Sequence, residues 1–445
     1  MSAREQPLNS TLNCGTMVGF LTTMGLLANT GTVVAQEDAR SLSQASFTSD
    51  VAPILYEKCV VCHRPGSIAP MSLLDYETAK QYAPLIKMQV ENRKMPPWFI
   101  DHTVGIQEFK DDRSLSDLEI ATIAGWVEAG APQGDPSNMP PVPTFDDEIY
   151  EWTLEDEIGR PPDLIVSIPE PFTVQAGVPN LFMDFVSSTG LTEDRWIKAH
   201  ETKPSLEGFP VVHHATTQMR FPDGKQVNFS EYALGKTGDI FPDGSGLLMK
   251  AGTELEWNLH YAAYSEDRTD RTRIALWFYP KDYEPEHEIH RAAMGNLIDL
   301  DIPPGQDEIR HDGYHVLSEN IRITVFQPHL HNLGSRQCME VIYPDNRRQT
   351  LNCAFWDFGW HLAYNYAEEA EPLIPKGSVI HVLSWHNNSE SNPWAGDPDN
   401  WVGFGQRSSD DMSFTHVSYY TLSDEEYAEH VEERLAQFMA EANDQ

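Results

Sequence analysis

Basic residues are scarce in this chain. Lysine and arginine number 31 among 445 residues, against 68 aspartates and glutamates, for a formal net charge of −37. A field of that sign repels nucleic acid and anionic membrane surfaces, so no nucleic-acid partner is expected. Acidity by itself serves solubility and names no function. Cysteine is sparse too, with five in all, and a second Cys-x-x-Cys to complete a four-cysteine zinc site is missing. Long hydrophobic runs are lacking beyond Met17–Ala35, a stretch rich in threonine and glycine that ends in Val33-Val34-Ala35. It reads as a secretory signal cleaved after Ala35, with a retained anchor as the alternative. The expected location is periplasmic or secreted, with no integral membrane segment after cleavage.

Against this background Cys59-Val60-Val61-Cys62-His63 stands out. Cys-x-x-Cys-His is the attachment pattern of a c-type haem: both thiols form thioethers to the vinyl groups, and His63 becomes an axial ligand. Export and haem attachment support each other. Met71, Met88 and Met95 are the nearby thioethers for the sixth position. Met88 lies in a helical pattern and reads as core, while Met71 follows Pro70 in a loop. Met95 precedes Pro96-Pro97, which bar helix continuation and hold the backbone extended, so Met95 is the expected ligand. Phe47 to Lys58 reads as a helix. Ser116-Asp117-Leu118-Glu119 reads as a capping box for a helix carrying Ile120, Ile123, Trp126 and Val127, closed by Gly130.

A chain of 445 residues exceeds one core. The run Asp135 to Pro143 has linker composition, and from Asp163 the pattern turns to short β runs with turn punctuation. The expected fold class is multidomain. It has a signal peptide over 1–35, a small all-α cytochrome c domain over 41–134 and a linker over 135–161. Two all-β jelly-roll or sandwich domains follow over 162–286 and 287–422, then a C-terminal helix over 423–445. That helix opens on the capping box Ser423 to Glu426, and Tyr427, Val431, Leu435 and Met439 form its packing stripe. With Cys14 in the signal and two cysteines on haem, Cys338 and Cys353 are candidates to pair across the turn at Tyr343 to Asn346; unpaired buried thiols are the alternative.

Histidines cluster in the β region. His213 and His214 are adjacent, and His260 shares a strand face with Asn258 while Leu255, Trp257 and Leu259 take the other. In His329-Leu330-His331 both imidazoles project to one side. Neutral imidazoles with an open position suit copper, and a thioether favours Cu(I). A lone buried histidine is more often a hydrogen-bonded core residue, and an adjacent pair points to opposite faces unless the backbone bends. Spacing alone leaves both readings open.

Val212-His213-His214, Leu259-His260-Tyr261, His329-Leu330-His331-Asn332-Leu333-Gly334 and Asp410-Asp411-Met412 occur in that order over Pro162 to Leu422. The series resembles the copper type II, ascorbate-dependent monooxygenases, such as the peptidylglycine α-hydroxylating and dopamine β-monooxygenases. With the haem motif it looks like bacterial fusions of a cytochrome c with such a domain. The resemblance implies an electron-transfer copper on His213, His214 and His260 and an oxygen-activating copper on His329, His331 and Met412, which would be the catalytic centre. It implies hydroxylation of a C–H bond with O2, electrons arriving through the haem from a redox protein or small reductant. Cofactors would be one covalent haem c and two coppers. The peptide hydroxylases hold the substrate carboxylate with an arginine where this chain has Gln327, and Phe414 and His416 replace their Asn and Tyr. A small, uncharged organic substrate is therefore expected. His416 is a substrate contact, a proton relay or a packed imidazole, and reads as packed; His361, His381 and His386 read as structural.

Two other functions compete: a non-catalytic haem and copper redox or copper-handling protein, and an extracellular polymer binder carrying a haem. Met412 separates them, because a soft ligand serves Cu(I) and has no use in a scaffold.

Overall fold

Alternation of apolar and polar side chains makes β-strand the dominant regular structure among the described residues. In Glu254–Tyr261 the residues Leu255, Trp257 and Leu259 are buried on one face, while Asn258 on the other donates to Asp184 across the sheet at 2.7 Å. The computed structural model describes residues 45–444 except 66–68, 70, 111, 145–151, 179–180, 234–237 and 263. The secretory-signal reading at Met17–Ala35, like Cys14, lies outside the described residues. Among the described residues no helix is long and apolar enough to cross a membrane.

Two β-sandwiches follow one another. In the first, the sheet Leu181–Ser188, Glu254–Tyr261, Val212–Arg220 and Gln226–Ala233 faces a sheet centred on Arg195–Lys203 and Arg273–Phe278. Trp257, Met219, Ile197 and Leu276 fill the space between them. In the second, Arg348–Phe355, Gly334–Ile342, Val379–Asn388 and Gln306–Val316 form one sheet, and His290–Asn296, Ser413–Leu422 and Asn320–His329 belong to the other. Phe326, Tyr364, Met339 and Val382 lie in that core. Cys338 and Cys353 are directly paired in the register of neighbouring strands and form a disulfide with Cα atoms 4.0 Å apart.

The expected small all-α domain over 41–134 is overturned. Helices Ala52–Lys58, Tyr76–Glu91 and Asp117–Glu128 are short and do close around Phe47 and Trp126. The segment between the last two, however, belongs to the second sandwich. Strand Ile100–Gly105 pairs with Arg348–Phe355, and Trp98 and Ile100 are buried in that sandwich's core, Trp98 edge-on to Tyr364 at 5.0 Å. Pro96-Pro97 ends helical structure, and the apolar residues after it cover an otherwise open sheet edge. Gly105 has φ +72°, and a Cβ there would lie 2.0 Å from the Leu351 carbonyl oxygen, so only glycine permits this close approach. The chain is thus mostly β, with its N-terminal helices built onto the second sandwich rather than standing apart.

Two smaller expectations also change. Within the proposed linker, Thr153–Ile158 is a helix whose first amides donate to the buried Glu201 carboxylate, Thr153 N at 3.1 Å and Leu154 N at 3.0 Å. The C-terminal helix Asp424–Asp444 has its capping box, but Leu435 and Met439 are 57% and 64% exposed, so the stripe is covered only near its start.

Candidate metal centres

His213 and His214 stand at one end of Val212–Arg220, and His260 stands opposite on Glu254–Tyr261. The register runs His260 against His214 and then Tyr261 against Val212, so His213 is the extra residue of a β-bulge. A bulge bends the strand and re-aims a side chain. Here it brings two consecutive imidazoles to one side. Ligand atoms of the three histidines lie within 4.8 Å of one another, with ring centroids 4.9, 5.1 and 5.7 Å apart. Ligands of a tetrahedral site stand about 3.3 Å apart, so modest ring movements close the set on an ion. Burial pushes His260 down to about 4 and holds His213 and His214 below the usual histidine range. Neutral imidazole is the ligand form. The Nδ1 atoms of His213 and His214 are buried without a hydrogen-bond partner, as donors awaiting an ion would be. Phe182 stacks flat on His260 at 4.2 Å.

The second set begins at the end of Asn320–His329. The rings of His329 and His331 are 5.4 Å apart. His331 Nδ1 lies 3.0 Å from the Arg407 carbonyl and 3.1 Å from that of Asp410, so Nδ1–H donates and Nε2 keeps its lone pair. Asp411, a fully buried carboxylate, accepts from the amides of His331 at 2.9 Å, Met412 at 2.8 Å and Leu333 at 2.8 Å. One oxygen, Oδ1, receives both the His331 and Met412 amides, which fixes residue 412 beside residue 331. Burial opposes ionisation of Asp411, but His386, His331 and these bonds hold it below the usual carboxylate range. His386 donates to the Met412 carbonyl at 3.2 Å, and His381 lies against Asp312 at 2.6 Å, each tied into the framework. Phe414 stacks on His329 at 4.7 Å, with His416 5.6 Å from the same ring.

His361, read from the sequence as structural, sits between the two sets. Its ring is 6.0 Å from His213, 5.9 Å from His214 and 5.7 Å from His329. It is 4% exposed, and neither ring nitrogen has a hydrogen-bond partner. Burial pushes it down to about 3. Ligand atoms of His361, His329 and Glu231 also lie within 4.8 Å of one another. Glu231 comes from Gln226–Ala233 of the first sandwich, and its Oε2 accepts from Gln327 at 2.6 Å and Arg291 at 3.0 Å. Burial would raise the Glu231 carboxyl, yet Arg291 and the imidazoles hold it far below the usual range. Arg291 therefore stands next to Gln327, its charge already matched by Glu231.

Cys59, Cys62 and His63 line a mainly apolar cavity of about 360 Å³ that Met71, Met95 and Trp360 also line. His63 Nδ1 donates to the Met71 carbonyl at 3.2 Å, which leaves Nε2 as the nitrogen that could coordinate. The thiols are not bonded to each other, and burial pushes Cys59 up to about 12 and raises Cys62. Burial thus sets these thiols apart from the lowered values of a redox Cys-x-x-Cys. Met88, expected in the core, is 48% exposed and absent from the lining, leaving Met71 and Met95 as thioethers. Trp360 reaches this cavity from the second sandwich.

The sequence matches no family model and no curated protein. Among solved structures it is similar to peptide:N-glycanase F, at 10% identity over 58% of this chain and 96% of that one, TM-score 0.27. It is also similar to oxalate decarboxylase of Bacillus subtilis, at 8% identity over 65% and 87%, TM-score 0.13. At these scores neither likeness carries weight for fold or function.

Proposed function

We propose that this chain is an exported copper-dependent monooxygenase that carries a covalent haem c and hydroxylates a C–H bond of a small uncharged substrate with O2. One observation carries the reading. Histidines from five separated stretches gather into a continuous, partly buried cluster, and that cluster abuts the cavity of the Cys-x-x-Cys-His motif through Trp360 and His361. Copper bound at such imidazoles supplies one-electron steps and oxygen activation, and haem c supplies stored electrons.

The chain's own residues do the rest. Burial keeps His214 and His329 neutral and ready to coordinate. Asp411 ties the backbone amides of Met412 and His331 to one oxygen, and the Nε2 of His331 is left free by the Nδ1 hydrogen bonds. Phe414 and Phe358 present apolar faces next to His329 and His213. Arg291 is paired with Glu231, so an uncharged substrate suits this wall better than a carboxylate.

The test is oxygen uptake by copper-loaded, reduced protein with candidate substrates. Substrate-linked uptake lost in Met412→Ile supports the proposal. Haem oxidation with no substrate-linked uptake replaces it with the non-catalytic redox protein. A best substrate bearing a carboxylate would overturn the uncharged-substrate part.

A further inference from the structure

We infer that Glu231, His329 and His361 form a metal-binding position of their own, spanning the two sandwiches, suited to a divalent cation of borderline hardness such as zinc.

Glu231 belongs to the first sandwich, while His329 and His361 belong to the second, His361 on the segment between Arg348–Phe355 and Tyr364–Asn365. Their ligand atoms already converge to within 4.8 Å. His361 supplies an independent sign. An imidazole 4% exposed with both nitrogens unpartnered carries a desolvation cost that a core position does not explain. A cation at this point satisfies the nitrogen that carries the lone pair. Gln327 and Arg291 both donate to Glu231 Oε2, which holds the carboxylate in place.

Two imidazoles and a carboxylate make a harder set than two imidazoles and a thioether, so the two arrangements select different ions. His329 is common to both, and a neutral imidazole has one lone pair. A cation is therefore held at one arrangement or the other. This position shares His329 with the copper site proposed above but requires no oxygen chemistry. The carboxylate also offsets the charge of an ion so close to the His213, His214 and His260 set. Arg291, 3.0 Å from Glu231, weakens the carboxylate as a ligand and limits the affinity.

The experiment uses the full-length, haem-loaded protein stripped with chelator and dialysed against zinc. Two zinc ions per chain are expected, one on the three-histidine set and one here. His361→Asn and Glu231→Gln each reduce the count to one and weaken the second equivalent by at least about tenfold, the scale on which even outer-shell partners act. Met412→Ile keeps both ions, and His260→Ala loses the other one. The inference is overturned if the His361 and Glu231 variants still hold two ions. It is equally overturned if Met412→Ile removes the second, or if the parent holds one that His260→Ala abolishes. Glu231 and His361 lie in different sandwiches, so whichever variant keeps the parent's circular dichroism decides the matter. Because zinc is the probe, failure here leaves the oxygen-uptake test untouched, and failure of that test leaves this one standing.

Discussion

Trp360 and His361 are consecutive, yet the indole lines the cavity of Cys59, Cys62 and His63 while the imidazole lies buried 5.7 Å from His329 and 5.9 Å from His214. One peptide bond thus joins the two candidate redox regions. Removing the indole by Trp360→Ala should slow reoxidation of reduced haem by bound copper by an order of magnitude or more, with haem and copper contents unchanged. Stopped-flow absorbance of the haem measures it, and an unaltered rate excludes this route.

Asp411 holds His331 and Met412 through one carboxylate oxygen. Asp411→Ala leaves three buried amides without an acceptor, and should cost ~3 kcal/mol or more. Denaturant unfolding reads the stability. Cu(I) affinity should fall with it, because residue 412 loses its place beside the imidazole. A variant with parental stability and affinity would show that Asp411 does not organise the site.

Acid should destabilise the metal-free protein. His260 and His361 are depressed to about 4 and about 3 from an ordinary 6.5. Between those limits the unfolded chain binds protons that the folded chain refuses, so stability present above pH 6.5 is lost as pH falls toward 4. Each unit of depression is worth about 1.4 kcal/mol. Thermal melts of the metal-free protein from pH 7.5 to 4.5 should show a falling Tm; a flat profile refutes neutral buried imidazoles.

Removing the disulfide with Cys338→Ser and Cys353→Ser should cost about 3 kcal/mol for a 15-residue loop. The bond packs with Leu383, Val104 and Trp385 and not among the candidate ligands, so metal content should not change. A lower metal count in the double variant would place the strand pair in the site after all.

Much of this was legible in the sequence, for definable reasons. Period-two alternation at Leu255, Trp257 and Leu259 set the strand and aimed His260 away from the core face. The capping residues Ser116 and Glu119 marked a helix start that the structure contains. What escaped depended on tertiary partners. Ile100–Gly105 looked like part of a helical module because the sheet edge it covers lies some 250 residues later. No local pattern announces a bulge at His213, so the adjacent imidazoles seemed to diverge. His361 sits in an irregular segment, where periodicity is silent and only burial with unpartnered nitrogens reveals it. Glu231 and Arg291 had no signal, each being a charged residue in a strand of mixed polar and apolar side chains.

The most direct test of the central claim is the iron and copper content of the exported, haem-loaded protein after dialysis against copper. One iron and two coppers per chain is the predicted result, falling to one copper in His260→Ala. Covalent haem with no retained copper would contradict it.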